Sequence, residues 1–436
     1  MKKLQIPLFE YTKILLTLLL CSLSCVLYSQ VTANSEKCIL ISDIHFDPLF
    51  QSHDDTILYK KLIETPVNNW TTLFLANPKQ NLINNTLLGK DANYALLKSA
   101  LINMSSELVS PSFIIIAGDF IWHGAKPKDS ILKKKTMIYI ASLFNYYFPK
   151  TKLIPILGNN DTYGEDYQLQ NLEYLRDFTD AWSMNLPKES KSEFLYKGYN
   201  TCKIGNVNLI ILNSSTVSMN SQYKNESDEM LDWLQKKLAN NETQNVWIIS
   251  HIPPGLNGYN NKNMWNIEQQ QTFINTVVKY AKKIKFIIAA HTHFNEFKVF
   301  YNNQNKPKAF MRLIPSICSN HGNYPSFEIA EINGKDGTLN NEINYVLKLT
   351  TSINQEIQNQ FIWHKQFTTL DLLYPNKLNA TGFSNLITKT KNNKGKDSLS
   401  KYIDYYTLGT KIENKNTLNK EILNNYIKAD SLKAMK

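Results

Sequence analysis

The chain has 436 residues, 43% of them hydrophobic and 19% charged, enough apolar sequence for one large packed domain or two smaller ones and too much for a chain that cannot bury a core. The net charge of +11 comes mostly from Lys, and much of that Lys lies beyond residue 360. No Arg-rich run or aromatic-interleaved basic patch accompanies it, so no nucleic-acid partner is expected and a solvated basic surface is the plain reading.

The N-terminus carries Lys2, Lys3 and Lys13 ahead of an apolar stretch over 14–28, followed by Ser29 and Val31-Thr32-Ala33. This is the layout of a secretory signal peptide, here 1–33, with cleavage expected near Ser29 or Ala33. The stretch is shorter than the roughly 20 residues a spanning helix needs. The expected location is therefore secreted or periplasmic. Cleavage would leave Cys38, Cys202 and Cys318, which allow one disulfide at most and lack metal-finger spacing; they read as structural.

Five short apolar runs follow, at 38–42, 113–117, 152–157, 246–250 and 286–290, each with the length and the Ile, Leu, Val and Phe content of a buried strand. A sixth run, 206–212, reads the same way. Between them, 93–105 and 132–147 read as helices, the first with Ala95, Leu96, Ala100, Leu101 and Met104 on one stripe. The segment 227–238 is expected to be a helix capped by Ser227, acidic in its first turn and basic in its last, burying Leu231, Leu234 and Leu238. Strand and helix alternate, which argues for an α/β fold with layered sheets. Beyond about residue 345 Gly thins out and Lys, Asn, Leu and Tyr dominate. The segments 353–367 and 418–435 look helical, and 388–397 reads as a mobile loop. The expected division is a catalytic domain over 34–345 and a helical C-terminal extension over 346–436.

The ends of the strand runs carry the chemistry. In order they present Asp43-Ile44-His45, Gly118-Asp119 with His123 after it, Gly158-Asn159-Asn160-Asp161, Ser250-His251 and His291-Thr292-His293. Five of the eight histidines in the chain fall in this set. Ligands of layered α/β folds bind beyond the carboxyl ends of strands, so the pattern points to one shared polar site. Phosphate esters resist hydrolysis because their oxygens repel a nucleophile, and two metal ions about 3.5–4 Å apart remove that obstacle. Such a pair needs one shared carboxylate and His, Asp and Asn ligands from several loops. This chain supplies that set.

These motifs, in this order and spacing, resemble the calcineurin-like metallophosphoesterase superfamily over roughly residues 38–330. The resemblance implies a four-layer α/β/β/α sandwich and two divalent metal ions, most simply Zn, with Fe or Mn also suited to His and carboxylate ligands. It assigns Asp43, His45 and His293 to the first ion, Asn159, His251 and His291 to the second, and Asp119 to both. A narrower likeness is to acid sphingomyelinase and its phosphodiesterase relatives. It rests on Asp43-Ile44-His45-Phe46-Asp47-Pro48, His251-Ile252-Pro253-Pro254-Gly255, His123 four residues after Asp119, and the Leu231-Asp232-Trp233-Leu234 helix. Pro315-Ser316-Ile317 and Asn323-Tyr324-Pro325-Ser326-Phe327 also match. The implied activity is hydrolysis of a phosphodiester or nucleotide phosphoester by a hydroxide held between the metals, with His123 as the acid for the departing oxygen. A phosphomonoesterase on the same metal pair, or a non-catalytic metal- or phosphate-binding protein, are the alternatives.

Two features depart from the family pattern. No Cys-rich lipid-presenting segment precedes Asp43, so a small soluble phosphoester is favoured over a membrane lipid. Asn160 stands where the family's motif has His; an amide can donate a hydrogen bond to a phosphoryl oxygen but cannot supply a proton. Trp122, Tyr163 and Tyr167 read either as lining a substrate pocket, Tyr163 foremost, or as core or rim packing, and His321 and Asn323 are expected to touch substrate from the loop beyond the last ligands. His53 and His364 stand in no motif and read as structural. The sequon Asn160-Asp161-Thr162 falls inside the site, where a glycan would be unwelcome.

Overall fold

Uncharged runs of Ile, Val, Leu and Phe alternate their side chains between two faces, so a strand buried on both sides feeds two cores at once. The computed structural model describes residues 35–433 apart from 185, 220, 259, 350–362, 374–375, 392–395 and 411–430. Thirteen strands are seen among the described residues: β1 (Ser35–Ile41), β2 (Phe113–Ile116), β3 (Lys152–Pro155), β4 (Asn200–Ile204), β5 (Val207–Ile211), β6 (Val246–Ile249), β7 (Ile284–Ala289), β8 (Glu296–Tyr301), β9 (Pro307–Leu313), β10 (Ser326–Asn333), β11 (Leu339–Leu347), β12 (Trp363–Thr368) and β13 (Ser431–Lys433). One sheet runs β12-β11-β10-β1-β2-β3 and the other β13-β8-β9-β7-β6-β5-β4. Their centres, β1-β2-β3 and β5-β6-β7-β9, are parallel.

The helices are α1 (Thr56–Glu64), α2 (Trp70–Leu75), α3 (Tyr94–Glu107), α4 (Ser130–Tyr147), α5 (Leu172–Ala181), α6 (Lys188–Lys197), α7 (Lys224–Ala239), α8 (Ile267–Lys279), α9 (Thr369–Leu373), α10 (Ala380–Lys391) and α11 (Lys396–Tyr406). Ile39, Ile41, Ile114 and Ile116 face outward onto Leu96, Leu97, Ile140 and Phe144 of α3 and α4. Their neighbours Cys38, Leu40, Phe113 and Ile115 face inward, onto Trp247, Ile249, Phe286 and Ile288 of the second sheet. Ile210, Ile248 and Ile287 then turn to Leu231, Leu234, Phe273 and Val277 of α7 and α8. The result is the expected four-layer α/β/β/α sandwich.

Several local expectations need correction. Helix α7 starts one turn before Ser227, at Lys224, and the Ser227 hydroxyl donates to the Lys224 carbonyl at 2.7 Å instead of capping. Residues 363–367, expected helical, form β12: Trp363 is buried against Phe327 of β10, and β12 pairs antiparallel with β11. Residues 388–391, expected in a loop, finish α10, whose Thr390 hydroxyl bonds back to Leu386 and Ile387. The rest of the expected 353–367 and 418–435 helices lies outside the described residues, save β13, as does the N-terminal segment through residue 34. Strand β11 runs two residues past the expected boundary at 345. Leu373, Leu378, Phe383, Leu386, Ile387 and Tyr402 fill the inter-sheet core. The described helices beyond 345 thus pack on the sandwich, as a helical extension of the catalytic domain would. No helix among the described residues is long and apolar enough to cross a membrane.

Candidate metal centre

The parallel strands deliver their C-terminal loops to one end of the sandwich. After β1, the backbone N–H groups of Asp43 and His45 donate to the carbonyls of Gly118 and Asp119 in the loop after β2. After β3, Asp161 reaches across: its carboxylate accepts the backbone N–H groups of Asp119, Phe120 and Gly158, each at 2.8 Å. Burial and the Asp119 charge push Asp161 up to about 7 against those donors. The approach is so close that a Cβ at Gly158 would collide with Asp119 Oδ1. From the second sheet, the backbone N–H groups of His251 and Ile252 share the Ser214 hydroxyl at 3.2 and 2.8 Å. Asp43, His45, Asp119, His291 and His293 all adopt positive φ, between 41° and 75°. Such backbone is costly for side-chain-bearing residues and concentrates at functional sites.

Six of the seven residues expected as ligands, Asp43, His45, Asp119, His251, His291 and His293, come together, and Asn159 lies on the loop whose next residue bonds Asp119. Asp119 Oδ2 lies 3.4 Å from His45 Nε2 and 3.1 Å from His251 Nε2. Asp43 Oδ1 lies 3.4 Å from His293 Nε2 and 3.8 Å from the Nε2 atoms of both His45 and His251. Asp119, His251 and His291 form one potential ligand group, and Asp43, His45 and Asp119 another. Asp119 belongs to both, as a shared carboxylate must.

The donor chemistry fits a cation pair. His45 Nδ1 sits 2.9 Å from the Ile121 carbonyl, and His251 Nδ1 sits 2.7 Å from the Ala117 carbonyl. A carbonyl accepts only from N–H, so in each neutral ring Nε2 is left as a lone pair aimed into the cluster. Asn159 Nδ2 donates to Asp166 at 2.7 Å, which fixes the amide. His45 Nε2, His251 Nε2, Asp43 Oδ1 and Asn159 Oδ1 are all buried and without a hydrogen-bond partner. Buried polar atoms left without partners are rare, and converging acceptors are what a metal ion neutralises. Without a metal, protons do the same work. Burial opposes charging His45 and His251, yet the nearby carboxylates override it and raise them to about 9 and about 10. Burial and the neighbouring imidazoles hold His291 down at about 3 and His293 well below the usual histidine range. His293 Nδ1 meets the buried Cys318 thiol at 3.4 Å, a contact no sequence motif announced.

Around this centre the other candidates divide. His123 stacks on His45 with ring centroids 3.8 Å apart and keeps about a third of its side chain exposed, at 34%. Its Nδ1 and backbone N–H are both held by Asp91, at 2.6 and 2.8 Å. Asp91 was missed because it lies 32 residues from His123. His321 stacks on His293 at 4.2 Å and is exposed, at the edge of the site as expected. Asn160 is at the site, where its backbone N–H and one hydrogen of Nδ2 are donated to Asp119, at 2.9 and 3.0 Å. Asn323 is fully buried, and its amide donates to Ser316 Oγ, the Cys318 carbonyl and the Tyr324 carbonyl, so it shapes the loop and is out of a substrate's reach. Tyr163 gives its hydroxyl to Asp177 at 2.6 Å and packs on Tyr174, and Trp122 is in the core. Tyr167 is the tyrosine at the centre, its hydroxyl 3.3 Å from His291 Nε2. His53 pairs with Asp47 at 2.9 Å, and His364 is exposed on the edge strand β12.

Two facing parallel-centred sheets with a shared aspartate among histidines at their loop ends define a metallophosphoesterase. The calcineurin-like phosphoesterase family model matches residues 37–295, and the chain belongs to that family. The chain's curated relatives include sphingomyelinase and acid sphingomyelinase-like phosphodiesterases. It is 27% identical to sphingomyelinase phosphodiesterase D of Dictyostelium discoideum, over 71% of this chain and 70% of that one. It is 30% identical to sphingomyelinase phosphodiesterase C of the same organism, over 52% of this chain and 54% of that one. It is 25% identical to the acid sphingomyelinase-like phosphodiesterase 3b of Mus musculus, over 72% of each.

Proposed function

We propose that this chain is a secreted or periplasmic two-metal phosphodiesterase that hydrolyses a small phosphodiester or nucleotide phosphoester. The observation that carries the reading is the convergence of the buried, unpartnered His45 Nε2, His251 Nε2 and Asp43 Oδ1 with Asp119, and Asn159 Oδ1 is likewise buried and unpartnered. Asp43, His45 and His293 would hold one ion and Asn159, His251 and His291 the other, with Asp119 shared; Zn suits this His-rich set best. When bound, such a pair supplies Lewis-acid activation of water and neutralises the phosphate. The chain's own residues do the rest. His123 offers a proton at Nε2 while Asp91 fixes its ring through Nδ1. Asn160 holds Asp119 by two hydrogen bonds, and Asp166 fixes the Asn159 amide.

The test is purification with metal analysis, then turnover of bis-(p-nitrophenyl) phosphate against p-nitrophenyl phosphate. About two metal equivalents and preference for the diester are expected. Preference for the monoester would make the chain a phosphomonoesterase on the same centre, and bound metal without turnover of either would make it a binding protein. N-terminal sequencing of exported protein tests the location; a mature chain beginning at Met1 would refute it.

A further inference from the structure

A cavity of about 510 Å³ opens beside the metal centre. That is within the size range of small-ligand sites. It adjoins the centre through Thr292, between the two histidines of the His291-Thr292-His293 motif, and through His321, which stacks on His293. It also lies on the His123 side. The amide of Asn320, which lines it, donates to Asp91 Oδ1 at 3.2 Å, the oxygen that holds His123. The far wall comes from the C-terminal part of the chain. Tyr406 of α11 stacks on Phe294 with centroids 5.1 Å apart at 19°, and both line the cavity.

Three observations fix the chemistry of this space. Its one charged lining residue among the described residues is Glu296, whose Oε1 accepts the Tyr406 hydroxyl at 3.0 Å. No Lys or Arg is among the described lining residues; Lys298, two positions along β8, donates to the Leu256 carbonyl. The remaining polar walls are Thr292, His321 and the amides of Asn257, Asn260 and Asn320. Tyr406 is also held from behind. Its backbone carbonyl accepts the Asn295 N–H at 3.1 Å, and Asn295 Oδ1 accepts from the buried Arg312. The Arg312 guanidinium lies 5.3 Å from the ring of the adjacent Tyr405. The wall is therefore seated on the core and tied to the ligand loop.

The geometry points to Tyr406, with Phe294 and Glu296, as the specificity-determining wall of a subsite for one ester arm that carries no negative charge of its own. This rests on the phosphodiesterase reading above. A flat neutral ring finds the Phe294–Tyr406 pair and three amides; a cationic head group finds the same rings and the Glu296 carboxylate. An arm bearing a second phosphate meets the buried Glu296 carboxylate, and no Lys or Arg stands among the described residues that line the cavity.

The experiment is competitive inhibition of bis-(p-nitrophenyl) phosphate turnover on the full chain. The probes are methyl phosphate, phosphocholine, thymidine monophosphate and thymidine bisphosphate. Thymidine monophosphate or phosphocholine should bind roughly tenfold tighter than methyl phosphate, and thymidine bisphosphate about tenfold weaker than the monophosphate. Which of the first two wins separates ring stacking from cation capture. Tyr406→Ala should remove most of that advantage, by about five- to tenfold, and leave methyl phosphate inhibition unchanged. Glu296→Gln should relieve the penalty on the bisphosphate, and it decides the case if Tyr406→Ala does not fold. Equal or tighter binding of the bisphosphate by the wild type overturns the inference, as does a Tyr406→Ala variant that weakens all four probes alike. Absence of any diester turnover would instead sink the functional reading beneath it.

Discussion

Replacing Asp91 by Asn is nearly isosteric, yet the structure leaves the amide no good way to sit. Asp91 Oδ1 accepts from His123 Nδ1 at 2.6 Å and from Asn320 Nδ2 at 3.2 Å, while Oδ2 accepts the His123 backbone N–H at 2.8 Å. Both oxygens face donors, so either orientation of an amide sets an NH2 against an N–H. The ring then loses an ionised acceptor, a bond of about 1.5–3 kcal/mol. If that energy is expressed in the transition state, it corresponds to roughly 10- to 150-fold in rate. The ceiling is the whole value of general acid catalysis, about 10²–10⁴-fold, which His123→Ala should forfeit. Asp91→Asn should therefore slow hydrolysis of diesters with alkyl leaving groups by about 10- to 100-fold and keep its metal. A nitrophenolate leaves with little protonation, so bis-(p-nitrophenyl) phosphate turnover should fall far less. The double variant should be no worse than His123→Ala, since both changes disable one device. The assay is steady-state turnover of an alkyl and a nitrophenyl diester by the three variants, with metal content measured beside it. Equal losses on both substrates, or additive losses in the double variant, would refute the reasoning.

Asp119→Asn should lose bound metal and nearly all activity, because Asp119 Oδ2 stands within 3.4 Å of both His45 and His251; metal analysis showing two equivalents with normal turnover would remove it from the shared position. Asn160→Ala should weaken metal binding about 10- to 100-fold, the usual cost of removing a ligand's orienting partner, because its amide steadies Asp119; added metal should restore turnover, and a slow variant with normal metal affinity would return Asn160 to a direct role on the phosphate. Glu328 is pushed up from 4.5 to about 8 by burial and by the neighbouring Glu342 carboxylate. The folded protein therefore keeps a proton that the unfolded chain releases, and stability should fall as pH rises through that window. Thermal melts of Glu328→Gln should show a flatter profile there than the wild type; an unchanged pH dependence would count against the assignment.

The ligand loops were legible because two regularities reinforce each other. A run such as 113–117 must be a buried strand, and a polar residue placed directly at its end can reach only the mouth of the sheet. Asp43, Asp119, Asn159, His251 and His291 all follow such runs, and Asp43, Asp119, His251 and His291 meet in the structure. What holds them was not legible. Asp91, Asp166 and Cys318 act on residues far away in the chain or in irregular loops, where no periodicity constrains them. Tyr163 and Tyr167 are four residues apart in one loop; only the fold decides that Asp177 takes the first and His291 the second. Beyond 345 the helical character was legible, and α9, α10 and α11 are there, but the strand at 363–368 was not, because Lys- and Asn-rich sequence resembles a solvated helix. Residue 363 nonetheless starts an edge strand, whose Trp363 indole reaches Ser99 of α3 at 2.8 Å.

The strained backbone and the unpartnered acceptors belong to one design. Left-handed conformations at Asp43, His45, Asp119, His291 and His293 cost on the order of 1 kcal/mol each. Each makes the chain turn immediately after a strand, so the ligand stays at the strand end and does not drift on a flexible loop. Asp161, with its three backbone bonds, and the Gly158 contact lock two of those turns together. A site held this rigidly cannot collapse to pair its own acceptors, which is why Asp43 Oδ1 and Asn159 Oδ1 stay unsatisfied. The folded chain alone bears that cost, and binding of a divalent ion offsets it, because a ligand that binds only the native state stabilises it by mass action. The same rigidity that prepares the centre for metal makes it dependent on metal, so chelation should lower the melting temperature as well as abolish turnover.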